Sequence, residues 1–163
     1  MHSRPMRREP ALEASTEISA PPSAVWPLIS DLSRMGEWSP ECTGARWKGG
    51  ASGPQPGARF SGRNRKGLWR WSTKCTVVAA LPGRELAWTV SFFGFSVAYW
   101  GYRLQPVTGG GTVITEQWRD LRTVPLFHWG PVVKLITGIT DRVGTNESNM
   151  RVTLDRLKAA AER

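Results

Sequence analysis

The stretch FGFSVAYWGYRL, residues 93–104, places five aromatic rings within twelve positions. Successive side chains of a strand point to opposite faces, so Trp100, Tyr102 and Leu104 share one face of this stretch. That face is almost wholly apolar. It either fills a protein core or lines a space kept open for a ligand, and the surrounding sequence bears on which of the two applies.

The segments around this stretch alternate in the same way and are joined by short turns. Residues 58–65, 68–80, 85–93 and 95–107 are predicted strands, separated by connections of a few residues that suit antiparallel hairpins better than crossovers. Further strands are predicted over residues 12–19, 44–49 and 111–122. Two short helical segments, over 21–32 and 33–38, lie between the first two strands.

From Pro131 the apolar period changes from two to about 3.6 residues, which is the period of an α-helix. One stripe of this predicted long C-terminal helix carries Val132, Ile136, Ile139, Val143, Met150, Leu154 and Leu157. Asn146 and Glu147 lie where the stripe is interrupted, and Gly138 and Gly144 bracket them. The pattern therefore predicts polar groups at the middle of the buried helix face and a close approach to the backbone near the glycines.

These elements predict an α+β fold in which a curved seven-stranded antiparallel sheet wraps around one long C-terminal helix. We expect a single domain over residues 11–163 after a disordered N-terminal tail over residues 1–10. One helix cannot cover the whole concave face of such a sheet, so large side chains or a cavity must occupy the remainder. The chain has nine Trp residues, several times the usual number for 163 residues.

Strand parity places most of the indole rings on the inner face together with a few polar groups. A single buried ring is more often core than ligand contact, but many large rings with small residues between them are typical of an apolar pocket. The predicted ligand-binding residues are Phe60, Asn64, Trp69, Trp71, Thr73, Trp88, Trp100, Tyr102, Glu116, Trp118, Ile139, Val143, Asn146 and Glu147.

Glu116 is the most informative of these residues, because a buried carboxylate is costly unless it has a partner. Its neighbours on the same face are Ile114 and Trp118, which predicts a position at the pocket wall. An internal ion pair, for example with an Arg of the helix, or a rim position open to water remains an alternative. Glu116 and Tyr102 are the candidate catalytic residues if the protein is an enzyme.

Three motifs carry a resemblance to a known family. They are VWPLISDLSRMGEW (25–38), AYWGYRL (98–104) followed by GGGTVITEQW (109–118), and NESNMRVTLDRLKAAAE (146–162). Over about residues 12–160 the chain resembles the polyketide cyclase/dehydrase and lipid transport superfamily, START-like proteins with the helix-grip fold. The resemblance implies a hydrophobic cavity between sheet and helix and no universal catalytic residue.

Signatures of common catalytic and phosphate-binding sites, such as GxSxG, HExxH, GxGxxG and CxxC, are absent from the sequence. His2 falls in the tail and His128 in the loop before the long helix, so we expect no metal site, and we expect no cofactor. The leading hypothesis is binding or carriage of a small hydrophobic or aromatic ligand. The alternative is an aromatic polyketide cyclase, since ring closure needs a shaped cavity and a modest acid or base.

The net charge of +9 favours an acidic partner. Parity places six cations on the convex face, namely Arg46, Lys48, Arg59, Arg63, Arg70 and Lys74. Such a face could contact an anionic membrane or, more distantly, RNA, while a solvated surface without a partner is the simpler interpretation. We expect a cytoplasmic protein with two free thiols, Cys42 and Cys75, and the sequence leaves the oligomeric state open.

Overall fold

The structure, a computed structural model, describes residues 11–122 and 129–163. The predicted tail over residues 1–10 and His128 lie outside the described residues. The strands are β1 (Ala11–Ile18), β2 (Cys42–Lys48), β3 (Arg59–Lys66), β4 (Trp69–Leu81), β5 (Glu85–Phe92), β6 (Phe95–Pro106) and β7 (Thr112–Asp120). The helices are α1 (Pro22–Ser30), α2 (Met35–Trp38), α3 (Trp129–Thr137) and α4 (Arg142–Ala161), with a 3₁₀ turn over Leu32–Arg34.

All seven strands form one antiparallel sheet in the order β1-β7-β6-β5-β4-β3-β2. Strands β2 to β7 follow one another along the sheet, and β1 closes the far edge beside β7. The predicted α+β helix-grip fold, with its seven-stranded sheet, two short helices after β1 and a C-terminal helix, is confirmed.

The register of the strands preserves the predicted inner face. Trp100 lies between Trp88 of β5 and Trp118 of β7, and Tyr102 lies opposite Glu116. Because pairing in an antiparallel sheet brings residues of the same face together, the inner residues of β3 to β7 form one continuous surface.

The core fills one end of this surface. Ile18, Ile114 and Leu157 are fully buried there, and Leu104 and Leu154 are almost so. The Thr112 hydroxyl donates to the Ala20 carbonyl at 2.7 Å and fixes the chain that leads from β1 into α1. The C-terminal half of α4 therefore packs closely on the sheet, away from the β3–β4 and β5–β6 hairpins.

The predicted extension of the C-terminal helix back to Pro131 is wrong, because the helix is broken between Thr137 and Arg142. Gly138 ends α3 with a φ of 68°, and a Cβ atom on it would lie 2.4 Å from the Trp69 indole. Asp141 begins α4 by accepting a hydrogen bond from the Gly144 N–H at 2.9 Å. The close approach predicted at the two glycines is thus made by Trp69 and by the Asp141 carboxylate.

None of the helices in the described ranges is both long and apolar enough to cross a bilayer.

Candidate functional site

A cavity of about 200 Å³ separates the sheet from the N-terminal half of α4. Its walls are the inward side chains of β3 to β7. On the other sides it is closed by α2, the segment from Ser39 to the first residue of β2, the end of α3, and α4. The cavity exists because α4 packs closely on the sheet only in its C-terminal half. The inner aromatic face is therefore part of the core at one end of the sheet and lines a cavity at the other.

Ten of the fourteen predicted ligand-binding residues border this cavity. They are Phe60, Asn64, Trp71, Thr73, Trp88, Trp100, Tyr102, Glu116, Trp118 and Asn146. Nine of them come from strand parity, which the register preserves across five strands. Their role in binding a ligand stays a prediction.

The other four predicted residues lie away from the cavity. Trp69 is half-exposed at the start of β4, where its indole covers Gly138. Ile139 is buried in the link between the two helices. The break in the helix turns Val143 outward, and Glu147 is exposed and pairs with Arg151 at 2.8 Å. The prediction from the helical stripe was wrong at these positions because it assumed an unbroken helix.

The aromatic side chains contact one another around the cavity without filling it. Phe60 packs edge-to-face on Trp88 with a centroid distance of 5.9 Å, and Trp88 lies 6.0 Å from Tyr102. Trp100 and Trp118 form a second pair at 6.5 Å. Contacts between rings at these distances stabilise their positions, so the wall of the cavity is preorganised before any ligand enters.

Glu116 and Tyr102 form a hydrogen-bonded pair in the cavity wall. The Tyr102 hydroxyl donates to Glu116 Oε1 at 3.2 Å, while Oε2 has no hydrogen-bond partner among the described residues. Glu116 is 5% exposed. Burial raises the pKa of its carboxyl from 4.5 to about 8, and the hydrogen bond from Tyr102 acts in the opposite direction. The alternative of an ion pair or a rim position for Glu116 is wrong for the described chain.

The raised pKa means that Glu116 is mostly protonated at neutral pH. With Oε1 accepting from Tyr102, Oε2 is left to carry the proton and to donate it to a ligand atom. Burial and the neighbouring Glu116 also raise the pKa of Tyr102 well above 10, so the phenol stays neutral. The pair therefore presents a neutral hydrogen-bond donor and not an anion.

Asn146 supplies a second polar group to the cavity from the α4 side. It is 2% exposed, and its Nδ2 atom has no hydrogen-bond acceptor within residues 11–122 and 129–163. A buried amide donor without a partner costs roughly 1–3 kcal/mol. A ligand with an acceptor oxygen would remove this cost.

Sequence reasoning missed a polar cluster at the mouth of the cavity. Arg142 Nη1 contacts both carboxylate oxygens of Glu41, at 2.8 and 3.0 Å, and Asn149 Nδ2 donates to Glu41 at 3.2 Å. The Arg142 guanidinium also lies 6.0 Å from the centre of the Trp71 ring. Arg142 precedes Asn146 by four residues, about one helical turn. This spacing could have identified Arg142 as a residue of the cavity. Nothing in the sequence points to Glu41.

The remaining titratable groups offer little chemistry. Burial raises the pKa of the Cys75 thiol to about 12, so it is no nucleophile at neutral pH. Among residues 11–122 and 129–163, no three His, Cys, Asp or Glu side chains come together to hold a metal ion. The described cavity is thus an apolar, aromatic chamber with two buried polar atoms, Glu116 Oε2 and Asn146 Nδ2, that have no hydrogen-bond partner among the described residues.

The sequence pattern of the polyketide cyclase/dehydrase and lipid transport family matches residues 9–162. The chain belongs to that family. This confirms the resemblance carried by the three motifs. The sequence matches no curated protein.

Several solved structures share the fold of this family member. A Polyketide_cyc-like protein from Corynebacterium glutamicum is 29% identical, with a TM-score of 0.59 over 97% of this chain and 92% of that protein. A protein from Chromobacterium violaceum has a TM-score of 0.68 at 12% identity, over 94% and 98% of the two chains.

An aromatase/cyclase also has this fold. The di-domain ARO/CYC StfQ of the steffimycin biosynthetic pathway gives a TM-score of 0.66 at 12% identity, over 93% of this chain and 44% of StfQ. At that identity the likeness establishes the architecture and leaves the chemistry of the cavity to its own residues.

Proposed function

We propose that this protein binds and carries a small apolar or aromatic molecule that bears at least one hydrogen-bond acceptor. The observation that carries the proposal is the aromatic cavity with two unpaired polar atoms, Glu116 Oε2 and Asn146 Nδ2. Apolar walls with a few placed polar groups are typical of small-molecule sites. The acceptor would be a carbonyl, ether or hydroxyl oxygen.

The size of the cavity narrows the ligand class. An apolar cavity of about 150 Å³ accepts benzene, and drug-sized ligands occupy pockets of about 300 Å³ or more. A volume of about 200 Å³ lies between these values. It suits one or two rings or a short branched chain better than a long acyl chain.

Calorimetric titration with naphthalene, 2-naphthol and palmitate tests this proposal. We expect 2-naphthol to bind more tightly than naphthalene, and Asn146→Leu to reduce that difference. Ala98→Trp places an indole in the cavity and should abolish binding, whereas Ser72→Trp adds the same ring on the exposed outer face and should not. Equal binding by the two Trp variants would show that the ligand does not enter the cavity.

A second candidate function is aromatic ring closure, and the Glu116–Tyr102 pair is the observation that favours it. A carboxyl group with a pKa near 8 can give or take a proton close to neutral pH, which general acid–base catalysis requires. Aldol-type closure would use Glu116 on the reacting carbonyl while the aromatic wall holds the chain folded. Long polyketides would need a larger cavity than the one described.

Turnover by the Glu116→Gln variant separates the two functions. Gln keeps the shape and hydrogen bonding of the side chain but cannot transfer a proton. A cyclase would lose at least about 100-fold in rate, the usual contribution of general acid–base catalysis, and would still bind the substrate. A carrier would show no turnover in either form.

The cytoplasmic location and a membrane contact stay predictions of the sequence.

A further inference from the structure

Large apolar side chains are exposed at one end of the sheet. Of the eight such side chains in the described ranges, six lie at this end: Leu68, Trp69, Phe93, Phe95, Leu135 and Val143. Leu68 is 97% exposed and Phe93 78%. Adjacent antiparallel strands bring the β3–β4 and β5–β6 turns to the same end, and the contact of Trp69 with Gly138 brings the end of α3 there. We call this region the hairpin end.

Phe93 occupies a turn position that disfavours it. It has a φ of 48°, the one positive value among the described non-glycine residues, and Gly94 follows at 82°. A two-residue turn of this form favours Asn-Gly, because a bulky residue in the left-handed region is strained. Its ring contacts Phe92 and is otherwise largely in water. The fold gains little stability from a Phe at this position. The exposed ring therefore points to a contact with a partner and not with the rest of this chain.

Cations surround these apolar side chains. Arg63, Arg65, Lys66 and Arg70 are exposed near the β3–β4 turn, and Lys134 is exposed on α3. Arg65 and Arg70 lie directly opposite each other, a pairing of like charges that destabilises a sheet. None of these cations forms an ion pair within the described residues, whereas Glu41 and Asp120 at the same end are paired with Arg142 and Arg122. The hairpin end is therefore electropositive.

The mouth of the cavity opens at the same end. Asn64, Trp71 and Phe92, which line it, lie close to the two turns. The partly exposed lining residues Glu41, Arg122 and Arg142 lie there as well. The opposite end of the sheet is the packed core. A ligand would thus enter beside the exposed apolar side chains.

We propose that the hairpin end docks on an anionic lipid bilayer. Leu68, Phe93, Phe95 and Leu135 enter the interfacial region while Arg65, Lys66 and Arg70 contact the lipid phosphates. Amphipathic surfaces of this composition bind where buried apolar area and attraction to anionic lipid add together. An apolar ligand could then pass between bilayer and cavity without crossing water. Phe93 and Phe95 could stack on bases but Leu68 and Leu135 could not, whereas all four can enter a bilayer, so a bilayer fits this surface better than RNA.

Sedimentation with lipid vesicles tests the proposal on the complete chain without added ligand. The vesicles are phosphatidylcholine alone and equal parts of phosphatidylcholine and phosphatidylglycerol, at low and at physiological ionic strength. We expect partition onto the mixed vesicles, weaker at higher salt, and little onto phosphatidylcholine. No partition onto mixed vesicles would overturn the proposal.

Two pairs of variants locate the contact. Arg65→Gln with Lys66→Gln should weaken partition about 25-fold, at roughly 5-fold for each cation near the surface. Arg46→Gln with Lys48→Gln removes the same charge about 15–20 Å farther along the sheet, beyond the Debye length, and should change partition less than 2-fold. Equal losses from both pairs would assign binding to the whole basic face and contradict the proposal.

The apolar contribution is tested separately. Phe93→Asn with Phe95→Ser should weaken partition at least 10-fold, and Phe93→Asn also relieves the strained turn, so loss of folding would not explain the result. Leu81→Ser, exposed at the other end of β4, is the matched control. An unchanged partition of the variant with Phe93→Asn and Phe95→Ser would refute insertion. Retention of RNA that is tighter than that of the mixed vesicles and depends on Arg65 and Lys66 would refute it as well. Because no ligand is present, the outcome is independent of the proposed function.

Discussion

Glu116 shows at the scale of one residue how burial changes chemistry. Its carboxyl sits among aromatic rings with one donor, Tyr102, so the charged form loses more hydration than it regains. Tyr102 is the one titratable group within hydrogen-bonding distance of it in the described chain. The folded protein therefore binds a proton at this site over a pH range in which the unfolded chain does not.

The pH dependence of stability follows from this difference. Between pH 4.5 and about 8 the folded state holds the Glu116 proton and the unfolded state has lost it, so the free energy of unfolding falls as pH rises. The slope is at most about 1.4 kcal/mol per pH unit. Urea denaturation from pH 5 to 9 measures it, and Glu116→Gln should flatten the profile and be more stable than the parent above pH 8.

Glu147→Gln is the control for this measurement. Glu147 is exposed and its partner Arg151 is exposed too, so we expect this change of a carboxyl to an amide to alter stability by only a few tenths of a kcal/mol. A Glu116→Gln protein with the slope of the parent would show that the Glu116 carboxyl is ionised in the folded state.

At the scale of elements, the break between α3 and α4 sets the position of the helix over the cavity. Gly138 ends α3 in the left-handed region with the Trp69 indole above it, and Asp141 caps α4. An unbroken helix would carry the stripe of apolar residues straight along the sheet. The break instead turns Asn146 toward the sheet and Val143 toward solvent.

Gly138→Ala should destabilise the protein for two separate reasons. The left-handed backbone costs about 1–2 kcal/mol for any side chain, and the new Cβ atom would overlap Trp69. Gly50→Ala isolates the first effect, because Gly50 has a φ of 79° and open space around its Cβ position. Thermal denaturation should show the larger loss for Gly138→Ala.

The double variant Trp69→Ala with Gly138→Ala checks the second reason. Removing the indole should make the Gly138→Ala substitution no more costly than Gly50→Ala. If the cost of Gly138→Ala were the same in both backgrounds, Trp69 would not be the group that demands a glycine.

At the scale of the whole molecule, the fold is held open at one end and packed at the other. The Glu41–Arg142 pair joins the loop before β2 to the start of α4 across the mouth of the cavity. We expect this pair to give way when a ligand larger than the mouth enters. Partly buried pairs of this kind leave an unpaired charge when one partner is removed.

Glu41→Gln should therefore speed ligand exchange. We expect the dissociation rate of 2-naphthol to rise about 5- to 10-fold, equivalent to roughly 1–1.4 kcal/mol of barrier. Stopped-flow fluorescence measures it, and Glu147→Gln, which breaks an ion pair away from the cavity, should leave the rate unchanged. A rate unaffected by Glu41→Gln would place the route of entry elsewhere.

The inner face of the sheet was predictable from the sequence residue by residue. Alternation along each strand assigns a side chain to one face, and antiparallel pairing keeps that assignment from strand to strand. The order of residues along the chain is therefore enough to group Trp88, Trp100 and Glu116 on one surface. The three motifs carried the resemblance to the family, which the match over residues 9–162 confirms.

Only the tertiary structure decided which part of that face is core and which part is cavity. The answer depends on how α4 lies over the sheet, and the chain at and before its start is held by contacts between residues far apart in sequence: Trp69 with Gly138, and Glu41 with Arg142. Periodicity is a local property of the chain and carries no information on such contacts. The sequence by itself determined the aromatic surface, and long-range packing determined that half of it encloses a space.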